Sequence, residues 1–292
     1  SKYKRIERSS IIPKKTELVI LSEKFDPLVA EWISFVKNPN FNLIEKCLKF
    51  SQLIEYPDLQ VEEYIKKINR IGMSLKESIS DVKNPTYLIS MLNEHLFENL
   101  GYSGDDEDYY NPKNNFLNEV VDKKTGLPIT ISILYVEIAK FVGLDLKIVG
   151  FPGHILVKYN EEMILDPFYD GRLLDIDDLQ EILDANFGGE IEFKPEFLDE
   201  VKSEQILIRM VRNLKNSYIQ SFVYDKALRC VNMALAIESE SPEDIRDKGI
   251  LEQRLLNSEN ALKYLNKYLE LNPNAEDVDF ILELIRSIKT KN

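Results

Sequence analysis

The chain has 292 residues, 44% of them apolar, enough to bury one large core or two ordinary ones, and its net charge is −13. That charge argues against duplex nucleic acid and anionic membranes as main partners, because both reward clustered Lys and Arg. Two scattered cysteines, Cys47 and Cys230, give neither a disulfide framework nor metal-ligand spacing. No apolar run reaches membrane-spanning length, and the N-terminus lacks the apolar region of a signal peptide. The expectation is a soluble cytoplasmic protein with no metal and no cofactor.

The first fifteen residues are locally basic, with Lys2, Lys4, Arg5, Arg8, Lys14 and Lys15 forming a solvated arm. Helical patterning then runs from Glu17 to about Leu100. Phe25, Leu28, Val29, Trp32, Ile33 and Val36 recur at three- and four-residue steps, as a buried helix face requires. Stripes through Leu43, Cys47 and Leu48 and through Ile65, Ile68, Ile71 and Leu75 predict two more helices, and Pro85 is placed to start a fourth. His95 falls in that fourth leucine stripe and reads as a structural residue. Residues 101–108 are an acidic, turn-rich loop. Its Asp105 to Asp108 run lacks the ordered spacing of a calcium loop and reads as solvated.

The character changes after Pro112. Residues 116–121 read as helical, 125–128 as a breaker, and 129–142 as an apolar helix closed by Gly143. Three short apolar segments follow (146–151, 155–159 and 163–165), divided by Pro152-Gly153 and Asn160-Glu161, and predict a small antiparallel sheet. A short helix is expected over 175–183.

From Ser203 the pattern is helical and repeats. Ala227-Leu228 lines up with Ala261-Leu262, a period of 261 − 227 = 34, and Val231, Asn232 and Leu235 meet Leu265, Asn266 and Leu269. That period, with Asn272-Pro273 at the boundary, is the tetratricopeptide signature. An array of about two copies must stack on the preceding region to bury its apolar faces. The fold class that follows is α+β: a helical N-terminal region, a small antiparallel sheet on a central helix, then helical repeats. The expected domains are residues 1–200 and 203–292.

The chemistry-bearing residues cluster between 118 and 172. Cysteine enzymes of the transglutaminase and papain type place a thiol at the start of a buried helix. Their histidine base lies on a neighbouring strand, and an aspartate on the next strand orients it. Here the helix, His154 and Asp166 come in that order, with His154 and Asp166 twelve residues apart across a predicted hairpin. Counting back from Gly143, the nucleophile position falls near Pro128, which has no nucleophilic atom. Thr130 and Ser132 are the nearby hydroxyls, and a hydroxyl needs strong activation to replace a thiol. Asn118, Glu119, Pro128 and Gly153 are expected to line the cleft. For Asn118 and Glu119 a solvated helix face is the competing explanation, and for His154 and Asp166 it is simple turn stabilisation.

The residues 115–120 (Asn-Phe-Leu-Asn-Glu-Val), Gly126-Leu127-Pro128-Ile129-Thr130, Gly150-Phe151-Pro152-Gly153-His154, Asp166-Pro167-Phe168 and Gly171-Arg172-Leu173 occur in one order. In this the chain resembles the SirB-type, transglutaminase-like family with a C-terminal tetratricopeptide region. Arg212-Asn213-Leu214-Lys215 and Arg246-Asp247-Lys248-Gly249 add to the likeness. The resemblance implies a transglutaminase-like core followed by helical repeats, and no particular reaction.

Two functions are therefore weighed. One is a catalytically degenerate protein that has lost its thiol and binds a protein or peptide through its repeat helices. Arg209, Arg212 and Lys215, at three-residue steps, are then either a clamp for an acidic peptide end or a solvated face. The other is a hydrolase or acyltransferase with His154 as base, Asp166 as orienter, and Thr130, Ser132 or a water as nucleophile. A papain-like protease dependent on Cys47 or Cys230 is a weaker third reading, because neither cysteine precedes the site helix in the required place. Oligomeric state is left open.

Overall fold

The computed structural model describes residues 26–79, 81 and 83–291. The basic arm and the helical pattern before residue 26 lie outside these. The N-terminal region is four helices, α1 (Pro27–Val36), α2 (Leu43–Ile54), α3 (Val61–Ser78) and α4 (Pro85–Asn93), the last running into a π-helical turn over Glu94–Asn99. Their starts are set locally. Asp26 accepts from the Leu28 amide at 2.9 Å ahead of Pro27. Asn42 and Glu45 exchange side-chain and backbone bonds in a capping box that satisfies two amides the helix itself cannot. His95 sits in the π-helical turn with its Nε2 3.0 Å from Ser74 Oγ and 3.2 Å from the Ile71 carbonyl, a structural role.

A 3-10 turn (Pro112–Asn115) leads into α5 (Leu117–Lys123), which ends at Lys124 in a left-handed conformation. The acidic loop is not wholly irregular: β1 (Ser103–Gly104) pairs in parallel with β2 (Thr125–Gly126). Then α6 (Pro128–Ala139) begins with Pro at its first position, where no intrahelical partner is needed for the missing N–H. A 3-10 turn, Lys140–Val142, carries it to Gly143, whose φ of 79° supplies the left-handed stop. Every residue of α6 except Glu137 is buried, because α2, α3, α4, α5 and the sheet surround it.

The sheet is antiparallel, β3 (Lys147–Val149), β4 (Leu156–Asn160), β5 (Met163–Asp166) and β6 (Arg172–Leu174), in sequence order. β6 is a strand that hydropathy does not announce: it is three residues long, and Arg172 and Leu173 are exposed at the sheet edge. Side chains alternate between two cores. Ile148, Val157 and Leu165 join the main core around α6. Val149, Leu156, Ile164 and Leu174 join a second cluster with Leu179 and Leu183 of α7 (Ile176–Phe187) and with Leu198.

The repeat region is α8 (Ser203–Gln220), α9 (Tyr224–Leu235), α10 (Pro242–Arg254), α11 (Ser258–Leu271) and α12 (Val278–Lys291). The residues matched at the 34-residue spacing are matched in burial: Ala227 and Ala261 are both inaccessible, as are Val231 and Leu265 to within 1%. The array stacks on the N-terminal region as its length demands. Met210, Val211, Cys230, Val231 and Met233 belong to the main core, and the indole N–H of Trp32 donates to the Met233 carbonyl at 3.0 Å. Among the described residues no helix is long and apolar enough to cross a membrane, and no three His, Cys, Asp or Glu side chains are grouped to hold a metal.

Candidate functional site

His154 stands in a bend ahead of β4 rather than on the strand itself. Phe151-Pro152-Gly153-His154 is a tight turn closed by the His154 amide bonding to the Phe151 carbonyl at 3.0 Å. Gly153 is required there twice over. Its φ is +74°, and a Cβ would lie 2.7 Å from the Asn186 side chain on α7. The turn presents the imidazole to the end of β5, where His154 Nε2 and Asp166 Oδ2 are 2.8 Å apart. Asp166 is buried, its side chain 3% exposed, and its other oxygen accepts from the Phe168 amide at 3.1 Å, capping the turn Pro167–Tyr169. With both oxygens occupied, the carboxylate cannot rotate, and it fixes the ring from the Nε2 side. Nδ1 has no hydrogen-bond partner among the described residues, and the His154 side chain keeps 14% of its surface exposed. Phe168 meets the imidazole edge-on, with centroids 6.3 Å apart, and Tyr169 lies tilted beside it at 6.4 Å.

Two cavities, of about 440 Å³ and 390 Å³, meet at this histidine. Both are lined by Tyr109, Pro128, Gly153 and His154, so they are halves of one cleft. The larger half runs between the sheet end and α7, past Asp106, Tyr169, Glu181 and Asn186. The smaller half runs to α8, past Arg209, Arg212 and Asn213. Pro128, first residue of the buried helix, lines both halves together with His154, so the helix start and the imidazole border the same space.

The two nearby hydroxyls do not line this cleft. Thr130 is inaccessible, its Oγ1 accepting from the Leu127 amide at 2.9 Å and donating to the Asn114 carbonyl at 3.0 Å; it caps α6 and does not line the cleft. Ser132 is also inaccessible, one turn into the helix, with no partner for its hydroxyl among the described residues. The cysteines are remote from the cleft and buried. Burial pushes the Cys47 thiol far up from its ordinary value and the Cys230 thiol to about 12, so neither offers a thiolate near neutral pH.

Two residues expected in the cleft lie elsewhere. Asn118 is buried inside α5 with its Oδ1 unpartnered among the described residues, and Glu119 accepts from Tyr56 at 2.8 Å and pairs with Lys123 at 2.7 Å. The basic stripe divides. Lys215 is buried against Asp247 and lines neither half. Arg212 lines the smaller half but is held by Asp244 at 2.6 Å and Glu238 at 2.6 Å. Arg209 also lines the smaller half, and its guanidinium donates to the Gly150 carbonyl at 3.3 Å.

Asp106, Tyr109 and Tyr169 were not expected here. Asp106 and Tyr109 reach the cleft because the β1–β2 pairing folds the acidic loop back against the start of α6, a contact that no local pattern announces. Asn186 and Glu181 arrive on α7 from the other side. Tyr169 could have been found, since it follows Asp166 by three residues across a Pro-initiated turn.

The sequence matches known families. The profile of the transglutaminase-like superfamily matches residues 62–212, just over half of the chain, and a tetratricopeptide repeat profile matches residues 214–286. The chain belongs to the transglutaminase-like superfamily. It is 33% identical over 233 residues to a UPF0162 protein of Xylella fastidiosa (strain Temecula1 / ATCC 700964), covering 78% of this chain and 83% of that one. It is 25% identical over 236 residues to a UPF0162 protein of Vibrio cholerae, covering 80% and 87%. A shorter stretch of 81 residues is 32% identical to the mouse F-box only protein 21, 28% of this chain and 13% of that one. No solved structure matches. In this chain His154 pairs with Asp166, and proline stands at the start of α6.

Proposed function

We propose that this protein is a catalytically silent transglutaminase-like protein that binds a protein or peptide segment, using the cleft at His154 together with the repeat helix that forms one of its walls. The observation that carries this reading is Pro128 at the first position of α6, facing His154 across an open cleft. A site that has lost its nucleophile but kept some 400 Å³ on either side of the base retains space for a ligand and no group to form an acyl intermediate. The exposed rings of Tyr109 and Tyr169 along the cleft suit a peptide, since aromatic side chains supply contact area at low entropic cost. Two free, buried cysteines fit a reducing, cytoplasmic setting. The second reading, a hydrolase using water activated by His154, is favoured by one observation, the 2.8 Å bond to Asp166 with Nδ1 left free.

The test is to rebuild the thiol. Pro128→Cys places a sulfur at a helix N-terminus beside His154, an environment that stabilises a thiolate. We expect iodoacetamide to alkylate it at pH 6 at least about tenfold faster than an exposed protein thiol, and His154→Ala to remove that advantage. The unmodified protein is expected to show no turnover of amide, ester or thioester substrates. Turnover by the unmodified protein that disappears in His154→Ala would establish the hydrolase reading instead.

A further inference from the structure

The two halves of the cleft differ in charge. The sheet-side half carries Asp106 and Glu181, neither with a cationic partner among the described residues, besides Asp166 behind His154 and an Arg172–Asp178 pair that neutralises itself. The repeat-side half carries two arginines and Asn213. These arginines are three residues apart on one face of α8 and in opposite states. Arg212 is committed to the array: Asp244, 1% exposed, takes two of its N–H groups, and Glu238 and the Ser241 hydroxyl share Nη2. Arg209 meets no carboxylate among the described residues. Its Nη2 donates to the Gly150 carbonyl, a neutral partner, and a Cβ on Gly150 would lie 2.7 Å from that atom. The bare glycine lets the guanidinium come close to the β3–β4 connection. Burial, and then the neighbouring Arg212, work against its positive charge and lower its pKa from the ordinary value, so a charge is held there without compensation.

A half-buried guanidinium with five N–H donors, one of them used, beside an Asn213 side chain with no partner among the described residues, has the donor set that receives a planar anion. We propose that the repeat-side half of the cleft is a carboxylate subsite anchored by Arg209, and that it takes a peptide carboxylate. The carboxylate is directed to this half because Asp106, Glu181 and Asp166 repel it from the other. A cavity of about 390 Å³ accommodates the terminal residue of a chain, and the larger half receives the residues that precede it. This rests on the peptide-binding reading above and assigns the polarity of the bound segment: its carboxylate at α8, its preceding residues at α7. The site lies on α8, the helix that spans the junction between the two matched regions, residues 62–212 and 214–286.

The experiment uses the full chain and a random heptapeptide library displayed with free C-termini. Selected peptides are resynthesised with a free carboxylate, with a C-terminal amide, and with an amide but an added internal Glu, and their Kd values are measured by fluorescence polarisation. Amidation is expected to weaken binding at least about tenfold, and Arg209→Met to weaken the free-acid peptide by a similar factor while leaving the amide unchanged. That is the coupling expected when one removes the partner of the other. Arg209→Lys recovers part of the loss. If the internal Glu restores affinity to the amide, the carboxylate can come from a side chain; if it does not, the subsite reads chain termini. Arg209→Met must melt as the unmodified protein does, and Asn213→Ala, which leaves the Gly150 contact intact, is expected to lower affinity in the same direction. Selected peptides that lose binding in Tyr109→Ala/Tyr169→Ala but ignore both amidation and Arg209→Met would overturn the subsite and leave the peptide-binding cleft standing. Failure to select any peptide that depends on those tyrosines would count against the binding reading itself.

Discussion

The core and the repeat region bury their helices by different means. In the core, α6 is apolar on all sides and disappears into a shell of helices and sheet, with a single threonine, Thr130, closing its buried end by hydrogen bonds. In the repeat region each helix has one buried face, and charged side chains tie alternate helices together. Arg212 on α8 reaches Asp244 on α10. Arg246 on α10, displaced from it by 246 − 212 = 34 residues, reaches Asp277 ahead of α12 at 3.1 Å. The arginine recurs at the repeat period, while its acid moves by 277 − 244 = 33 residues, from the first turn of α10 to the position ahead of α12. The lesson is that charge in the repeat is structural wherever it is periodic. Arg209 has no such role, and for that reason it is the residue left facing the cleft.

This contrast can be broken at several points, with effects of decreasing size. Trp32 joins the two regions through its ring packing on Phe35 and Phe50 and its bond to Met233. Trp32→Ala is expected to cost about 3–5 kcal/mol, read from urea unfolding. Arg212→Ala strands the buried Asp244. Removing one partner of a buried pair costs about 3–5 kcal/mol, and the partial exposure of Arg212 reduces the expectation to about 2 kcal/mol. Arg246→Ala, at the equivalent place one repeat later, faces an Asp277 that is 30% exposed, and should cost no more than about 1 kcal/mol. Equal losses for the two arginines would show that burial of the acid is not what sets the cost. In the core, Thr130→Val keeps the shape and removes the cap, leaving the Leu127 amide without its partner; a loss of about 1–2 kcal/mol in thermal or urea unfolding is expected. Ser132→Ala deletes a buried hydroxyl that has no partner among the described residues. It should change stability by less than about 0.5 kcal/mol or raise it, since nothing is broken. A large loss there would mean that the hydroxyl is bonded in solution and that the serine deserves reconsideration at the site.

The elements were largely readable because each has a local cause. Helix α6 follows from an apolar run between Pro128 and Gly143, and the hairpin from alternation broken by Asn160-Glu161. The repeats follow from identities spaced 34 apart. The second, α7-side core was not readable, because which face of a strand meets which layer depends on both layers being present. Nor was β6, an edge strand too short to show alternation. At the site, the pairing of His154 with Asp166 could be anticipated from their twelve-residue separation. The fate of Thr130 could not: its side chain has the same composition whether it faces a base or a backbone amide.

By itself, the sequence determined the order of elements, the 34-residue period, the dyad and the absence of a thiol at Pro128, since all of these are properties of residue type and short-range spacing. Only the tertiary structure decided which arginine is free. Arg209, Arg212 and Lys215 are equivalent in spacing along one helix. They differ because the partners that neutralise Arg212 and Lys215 lie about thirty residues downstream, on a helix brought alongside by packing, while Arg209 was set against a backbone carbonyl at the mouth of the cleft. The energy of a charge depends on what surrounds it within a few ångströms, and that neighbourhood exists only once the chain has folded.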